Sequence, residues 1–334
     1  MEELRVKVVF SRAERMTYRG YWPLALILFV LLIVFPQVSS LYSVILVTEV
    51  LIYAIFATSL NLELGYTGLP SLGHAAFFGV GGYMVSILIV KGGIHNFWFC
   101  IIAALLAAAV VSLLFGFFAI RSSGVFFLML TFALAQFVWG VTWSWRSLTG
   151  GDDGISGVVR PSLGLPISMS NEVNFYYLIL VFFAVAIFLL YRICRSPFGH
   201  TLQGIRESEM RMQVLGYNTW KYKYAAFIVA GIFAGLAGVL KAYQDGFVSP
   251  AYPSVATSGM VLLMCLVGGT RVFLGPTLGA AAVWIIISIV SSHTEYWSFV
   301  VGCILIITVI FAPQGIAGYL VRVGGFVKRA RAKS

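Results

Sequence analysis

The chain has 334 residues, of which 60% are hydrophobic and only 10% charged, with a mean hydropathy of +0.96 and a net charge of +10. Soluble domains carry about 25% charged residues, and a water-soluble fold of this length could not hide so much apolar surface, so the solvent must be lipid. The surplus Lys and Arg sit in short loops and tails, where they report orientation in a membrane rather than nucleic-acid binding.

Residues 1–19 form a basic tail carrying Arg5, Lys7, Arg12, Arg15 and Arg19. No small-residue cleavage site follows Trp22 to Val38, so this start is read as a retained span, not a cleavable signal. A membrane helix needs ~20 mostly apolar residues. Candidate spans fall at 21–38, 41–62, 70–90, 97–120, 125–145, 174–193, 224–243, 254–270, 274–292 and 295–313. The fold expected is therefore all-α and polytopic, a single membrane domain of about ten helices. The third span holds Gly73, His74, Gly79, Gly81 and Gly82, and a broken or re-entrant helix is its alternative reading. Eight spans is the alternative count.

With the N-terminus inside and ten spans, 18 of the 22 Lys and Arg lie on the inner side, and only Lys91, Arg146, Arg160 and Lys241 lie outside. That asymmetry obeys the positive-inside rule and places both termini, 1–19 and 314–334, in the cytoplasm.

The intramembrane acids are Glu49, in the middle of span two, and Glu63, near its inner end after Asn61. Ionisable groups in lipid are costly and mark structure or a pathway. Glu49 reads equally as a buried acid bonded to a neighbouring helix or as a pathway group. Glu63 reads as a snorkelling interfacial acid. His74 divides between a helix-packing hydrogen bond and a lining position. Asn61, Glu63, His74 and Glu49 are the candidate translocation-path residues. Two isolated acids do not make a proton relay, which argues against a self-contained secondary carrier. Gly231, Gly235 and Gly238 lie on one helix face at spacings of four and three, the pattern of close helix packing in lipid.

The longest outward loop, 146–173, contains adjacent Asp152 and Asp153 among glycines, then Pro161 and Pro166. Further calcium ligands are missing, so no metal is assigned. The pair reads as a solvated turn or as an acidic rim for a soluble partner. Cys100, Cys194, Cys265 and Cys303 match no zinc spacing and read as small core residues.

The long inner stretch Arg195–Lys223 is polar and basic. Ser196-Pro197 is a helix N-cap followed by proline at the first position, and Gly216 is a C-terminal stop. Phe198, Leu202, Ile205, Met212 and Leu215 share one helix side. This helix lies on its own membrane face or docks into a groove on another protein. No phosphate loop, zinc-protease motif or nucleophile elbow occurs, so energy for uphill transport would enter through a partner or an ion gradient.

Several strings resemble the LivM-type permeases of branched-chain amino-acid ABC importers. They are Asn61-Leu-Glu-Leu-Gly-Tyr-Thr-Gly-Leu-Pro-Ser-Leu-Gly-His-Ala-Ala-Phe-Phe-Gly79, Arg195-Ser-Pro-Phe-Gly-His-Thr-Leu-Gln-Gly-Ile-Arg-Glu207, the Ala225–Leu240 run, Leu274-Gly-Pro-Thr-Leu-Gly-Ala280 and Phe311-Ala-Pro-Gln-Gly315. Leu69 stands where such permeases more usually have a polar residue. The resemblance covers about 45–320 and implies a type II-like importer permease fold in the bacterial inner membrane. It implies a LivH-type second permease, two cytoplasmic ATPase subunits that bind ATP-Mg, and a periplasmic or lipid-anchored binding protein. This chain itself would bind no cofactor and would not be an enzyme. The stretch 195–223 would carry the coupling helix, with Phe198, Leu202, Ile205, Arg206, Glu207 and Arg211 meeting the ATPase, while Asp152 and Asp153 would help seat the binding protein. Branched-chain amino acids are the expected cargo. Urea, short amides or aromatic acids are the alternatives within the same importer type.

Overall fold

A computed structural model describes residues 22–160, 169–296, 299–300, 302–303, 306 and 315–319. The basic tail 1–19, Pro161 and Pro166, most of the tenth candidate span and most of the C-terminal tail lie outside the described residues.

The described chain is helical, with one two-residue strand pair. Helix α1 is Trp22–Val38; α2 is Leu41–Asn61 and continues as a π-helical turn, Leu62–Thr67. Helix α3 is His74–Ser86, prolonged by a second π-helical stretch, Ile87–Lys91. Helices α4, Phe97–Ala119, and α5, Val125–Ser144, follow. A four-residue α6, Arg146–Thr149, leads into β1, Ile155–Ser156. Helix α7 is Glu172–Arg195, and α8, Pro197–Glu207, and α9, Glu209–Val214, are short. Helix α10, Thr219–Asp245, runs into β2, Phe247–Val248, then α11, Val255–Gly268, and α12, Gly275–Ser291.

Among the described residues, six helical segments are long and apolar enough to cross a membrane: Leu41–Thr67, His74–Lys91, Phe97–Ala119, Val125–Ser144, Glu172–Arg195 and Thr219–Asp245. Helices α11 and α12 are apolar but shorter. The chain is a multi-pass membrane protein. The third candidate span is one continuous helical segment of 18 residues from His74.

Lipid offers no partner for the free N–H groups of a helix start, and polar caps supply them locally. Ser40, Asn96, Asn171, Asn218 and Ser254 each accept from a backbone N–H at the head of α2, α4, α7, α10 and α11.

Helix α2 is the hub. From Val50 to Asn61 every residue is buried, as expected of a helix apolar on all sides and enclosed by others. It packs against α7, α10, α11 and α12. The second organiser is the face of α10 that meets α3 and α4. A β-carbon at Gly231 would lie 2.6 Å from that of Ser112, and one at Gly235 would strike Ala108. One at Gly238 would strike the Phe78 carbonyl, and Gly81 of α3 meets the Gly235 backbone. The glycine spacing seen in the sequence is therefore a seam of close backbone approach.

Candidate functional site

Four places hold the polar chemistry of the chain. The first is toward the Asp245 end of α10. Lys241 Nζ lies 2.6 Å from Glu49 Oε1 on α2 and 2.7 Å from Asp245 Oδ1. Trp284 Nε1 donates to Glu49 Oε2 at 2.7 Å, and the Tyr252 hydroxyl donates to Asp245 Oδ2 at 2.6 Å. Tyr53 stacks on Trp284 at 4.6 Å between ring centres. These contacts correct two expectations. Glu49 is not isolated but bonded to a neighbouring helix, one of its two readings, and Lys241 is not an outer loop charge: it lies within α10, only 8% exposed. The partners are 192 residues apart in sequence, and charge counting cannot see such a pair. A half-buried group of this kind joins helices through mutual compensation of its charges.

The second place is the end of α2 that runs into its π-helical turn. Asn61, Glu63 and His74 converge there, each at most 1% exposed. His74 Nε2 lies 2.8 Å from Ser59 Oγ, its Nδ1 lies 3.5 Å from Glu63 Oε1, and its ring stacks on Phe56. The expectation that Glu63 snorkels to water is wrong. It is buried within the π-helical turn, with the His74 ring beside it. His74 makes a helix-packing hydrogen bond. The Asn61 amide has no hydrogen-bond partner among the described residues. Gly65 is required beside it, since a β-carbon there would lie 2.5 Å from the Thr270 carbonyl. Glu49 does not join Asn61, Glu63 and His74; the four path candidates form two separate groups.

The third place is the polar, basic segment 195–223. Ser196 caps α8, and Pro197 opens it, as the sequence implies. The single helix expected up to Gly216 is instead two. Ser208 is extended and caps α9 anew, accepting from Arg211 N. Gly216, at a φ of 86°, is the expected left-handed stop. The kink decides which side chains face out. Leu202 and Ile205, expected to enter a partner's groove, are 0% and 3% exposed, and Leu202 packs into the chain's own core with Leu62, Tyr66, Leu190 and Phe273. Phe198 is half-buried, packs on the same cluster and stacks against Tyr222 at 5.7 Å. The exposed apolar side chains are Met210, Val214, Leu215 and Tyr217. Ser208-Glu209, a cap residue followed by an acid, was the sequence signal for this second helix start.

Arg206 donates to the Gly65 carbonyl and so ties α8 to the π-helical turn that carries Glu63. Burial, then the nearby Arg271, push its guanidinium below the ordinary range. Glu207 and Arg211 are exposed. Lys223 Nζ lies 2.6 Å from Glu209 Oε2 and fixes α9 to α10. Burial alone would raise the Glu209 carboxyl. Hydrogen bonds from Lys223 and Thr219, with the Lys223 charge, outweigh it and hold the group below the usual carboxylate range.

The fourth place is the loop after α5. Asp152 and Asp153 are exposed on a single 3-10 turn, Gly151–Asp153. Ile155 and Ser156 pair antiparallel with Val248 and Phe247, which pins this turn beside the end of α10. Gly154, at a φ of 67° and against the Val248 carbonyl, allows that approach. No group of three or more metal-ligating side chains occurs among the described residues.

A bundle of capped apolar helices around a central buried span, with two short polar helices between the long ones, defines a polytopic membrane protein. Residues 42–309 match the family described as the branched-chain amino acid transport system permease component, and the chain belongs to that family. It is 30% identical over 311 residues to the high-affinity branched-chain amino acid transport system permease protein LivM of Escherichia coli (strain K12), covering 86% of this chain and 73% of that protein. The LivM of Salmonella typhimurium is 29% identical over the same shares. The guanosine ABC transporter permease protein NupQ of Bacillus subtilis is 25% identical over 55% of this chain and 60% of its own. No solved structure matches.

Proposed function

We propose that this chain is one of two permease subunits of a binding-protein-dependent ABC importer for branched-chain amino acids. The observation that carries the reading is the family match along 42–309, reinforced by LivM relatives at 30% and 29% identity. Ten spans with both termini in the cytoplasm of a bacterial inner-membrane protein fit the charge distribution, with Lys241 now assigned to a helix. A LivH-type permease completes the path, two ATPase subunits bind ATP-Mg, and a binding protein delivers the solute. This chain binds no cofactor of its own. Asn61, Glu63 and His74 act as a buried joint beneath the path rather than as its lining.

The ATPase docks on the exposed face of α9, at Met210, Val214, Leu215 and Tyr217, with Glu207 and Arg211 at the rim. Phe198, Leu202 and Ile205 hold α8 against the spans from beneath, and Arg206 links that platform to α2. Buried interface anchors contribute about 2 kcal/mol or more each. Val214→Asp with Leu215→Asp is therefore expected to weaken ATPase association by about 100-fold or more, while the membrane part folds normally. Leu202→Ala should instead lower the stability of the chain itself by about 2–5 kcal/mol. Co-purification of the ATPase with each variant, beside a thermal melt in detergent, separates the two. Normal co-purification of the double Asp variant would remove α9 from the docking surface.

The binding protein seats on the turn bearing Asp152 and Asp153. Rim charges act mainly on association rate and its salt dependence. The Asp152→Asn, Asp153→Asn variant should raise the apparent half-saturation for loaded binding protein by several-fold at low salt and leave it unchanged at high salt. An unchanged value at both salts would assign the turn another role.

A further inference from the structure

Helix α5 buries the smallest share of its residues among the six long spans. Its buried ridge is Phe127, Thr131, Ala135, Val138 and Thr142. At 100° per residue, Gln136 lies almost opposite that ridge, on a stripe with Met129, Ala133 and Gly140 at spacings of four, three and four. Gln136 is exposed on the chain, and no hydrogen bond engages its amide among the described residues. It is the twelfth residue of a 20-residue helix, so it stands near mid-membrane. A primary amide facing hydrocarbon would leave donors and an acceptor unsatisfied. The face must therefore meet water or protein. This chain leaves that face open: a β-carbon at Gly140 would meet nothing within 4 Å, and Phe132, Ala133 and Phe137 beside Gln136 are themselves exposed. The exposed face of α4, with Leu106 at similar depth, is by contrast uniformly apolar, as lipid requires.

We propose that the Gln136 face of α5 lines the translocation path at mid-membrane and that the Gln136 amide contacts the passing solute. This rests on the permease reading above. An amide offers both a donor and an acceptor, so it suits a zwitterion, while Met129, Phe132 and Phe137 suit an apolar side chain.

The test uses the complete importer in vesicles, in a Cys303→Ala background, because Cys100, Cys194 and Cys265 are buried. A small charged methanethiosulfonate reagent should modify Gln136→Cys at least tenfold faster than Leu106→Cys, and L-leucine delivered by the binding protein should slow that modification several-fold. Gln136→Leu should lower leucine uptake at least tenfold with full assembly of the complex, and Gln136→Asn should retain more activity. Equal, slow modification at 136 and 106 would overturn the proposal. So would loss of the second permease from Gln136→Leu preparations, which would make the amide a bond between subunits. The comparison of labelling rates needs no cargo, so it stands even if wild-type importer fails to take up leucine, a failure that would instead strike the assigned substrate.

Discussion

Replacing Lys241 with methionine should destabilise the folded chain by about 3–5 kcal/mol. Lys241 is the only cation among the described contacts of Glu49 and Asp245, which it holds at 2.6 and 2.7 Å. Methionine matches its bulk but leaves two partly buried carboxylates facing each other across α2 and α10. Trp284 and Tyr252 donate one hydrogen bond to each acid, which reduces but does not cancel the cost. Both acids keep some exposure, 23% and 18%, so the loss belongs at the lower end of the range. The signature of pairing is repair. Glu49→Gln added to Lys241→Met should recover stability, because it removes one of the two orphaned charges, whereas Glu49→Gln alone should destabilise less than Lys241→Met. Thermal midpoints and folded yield in detergent measure all three. Wild-type stability in Lys241→Met would mean that the group does not join the helices.

Gly235→Leu should prevent folding or assembly at normal levels. Overpacking an ordinary core costs about 1–3 kcal/mol, and this site is less forgiving than most. The first carbon of any side chain at 235 already meets Ala108 of α4, and the Gly235 backbone is itself the surface on which Gly81 of α3 rests. Three helices would have to separate. Gly259 supplies the control, since a β-carbon there meets nothing within 4 Å. Gly259→Leu should be tolerated. Equal yields of the two variants would show that the seam has no part in folding.

The features that follow from local chemistry were legible in the sequence. The positions of the six long spans, the Ser196-Pro197 start of α8, the Gly216 stop and the glycine seam all depend on residues within a turn or two of each other. The errors share a different cause. Glu49 looked isolated because Lys241 is brought to it only by the packing of α2 on α10. Glu63 looked interfacial because it stands near the end of its candidate span, but the helical segment runs on to Thr67 and tertiary packing buries the acid. Leu202 and Ile205 looked like anchors for a partner because one helix face was drawn through Ser208, where the chain is extended. An apolar stripe announces that something will cover it, and here the cover is the chain's own α7 and α10. Gln136 escaped a search confined to ionisable groups, although an uncharged amide in mid-span poses the same hydrogen-bonding problem to lipid.

The central claim is that this permease moves solute only as part of an ATP-driven complex fed by a binding protein. The direct measurement is uptake of labelled leucine into vesicles holding this chain, its partner permease and the ATPases, with ATP and binding protein supplied or withheld in turn. Uptake that requires both, and that disappears with the Val214→Asp, Leu215→Asp variant, is the predicted result. Uptake by this chain alone under an ion gradient, indifferent to ATP, would contradict the account.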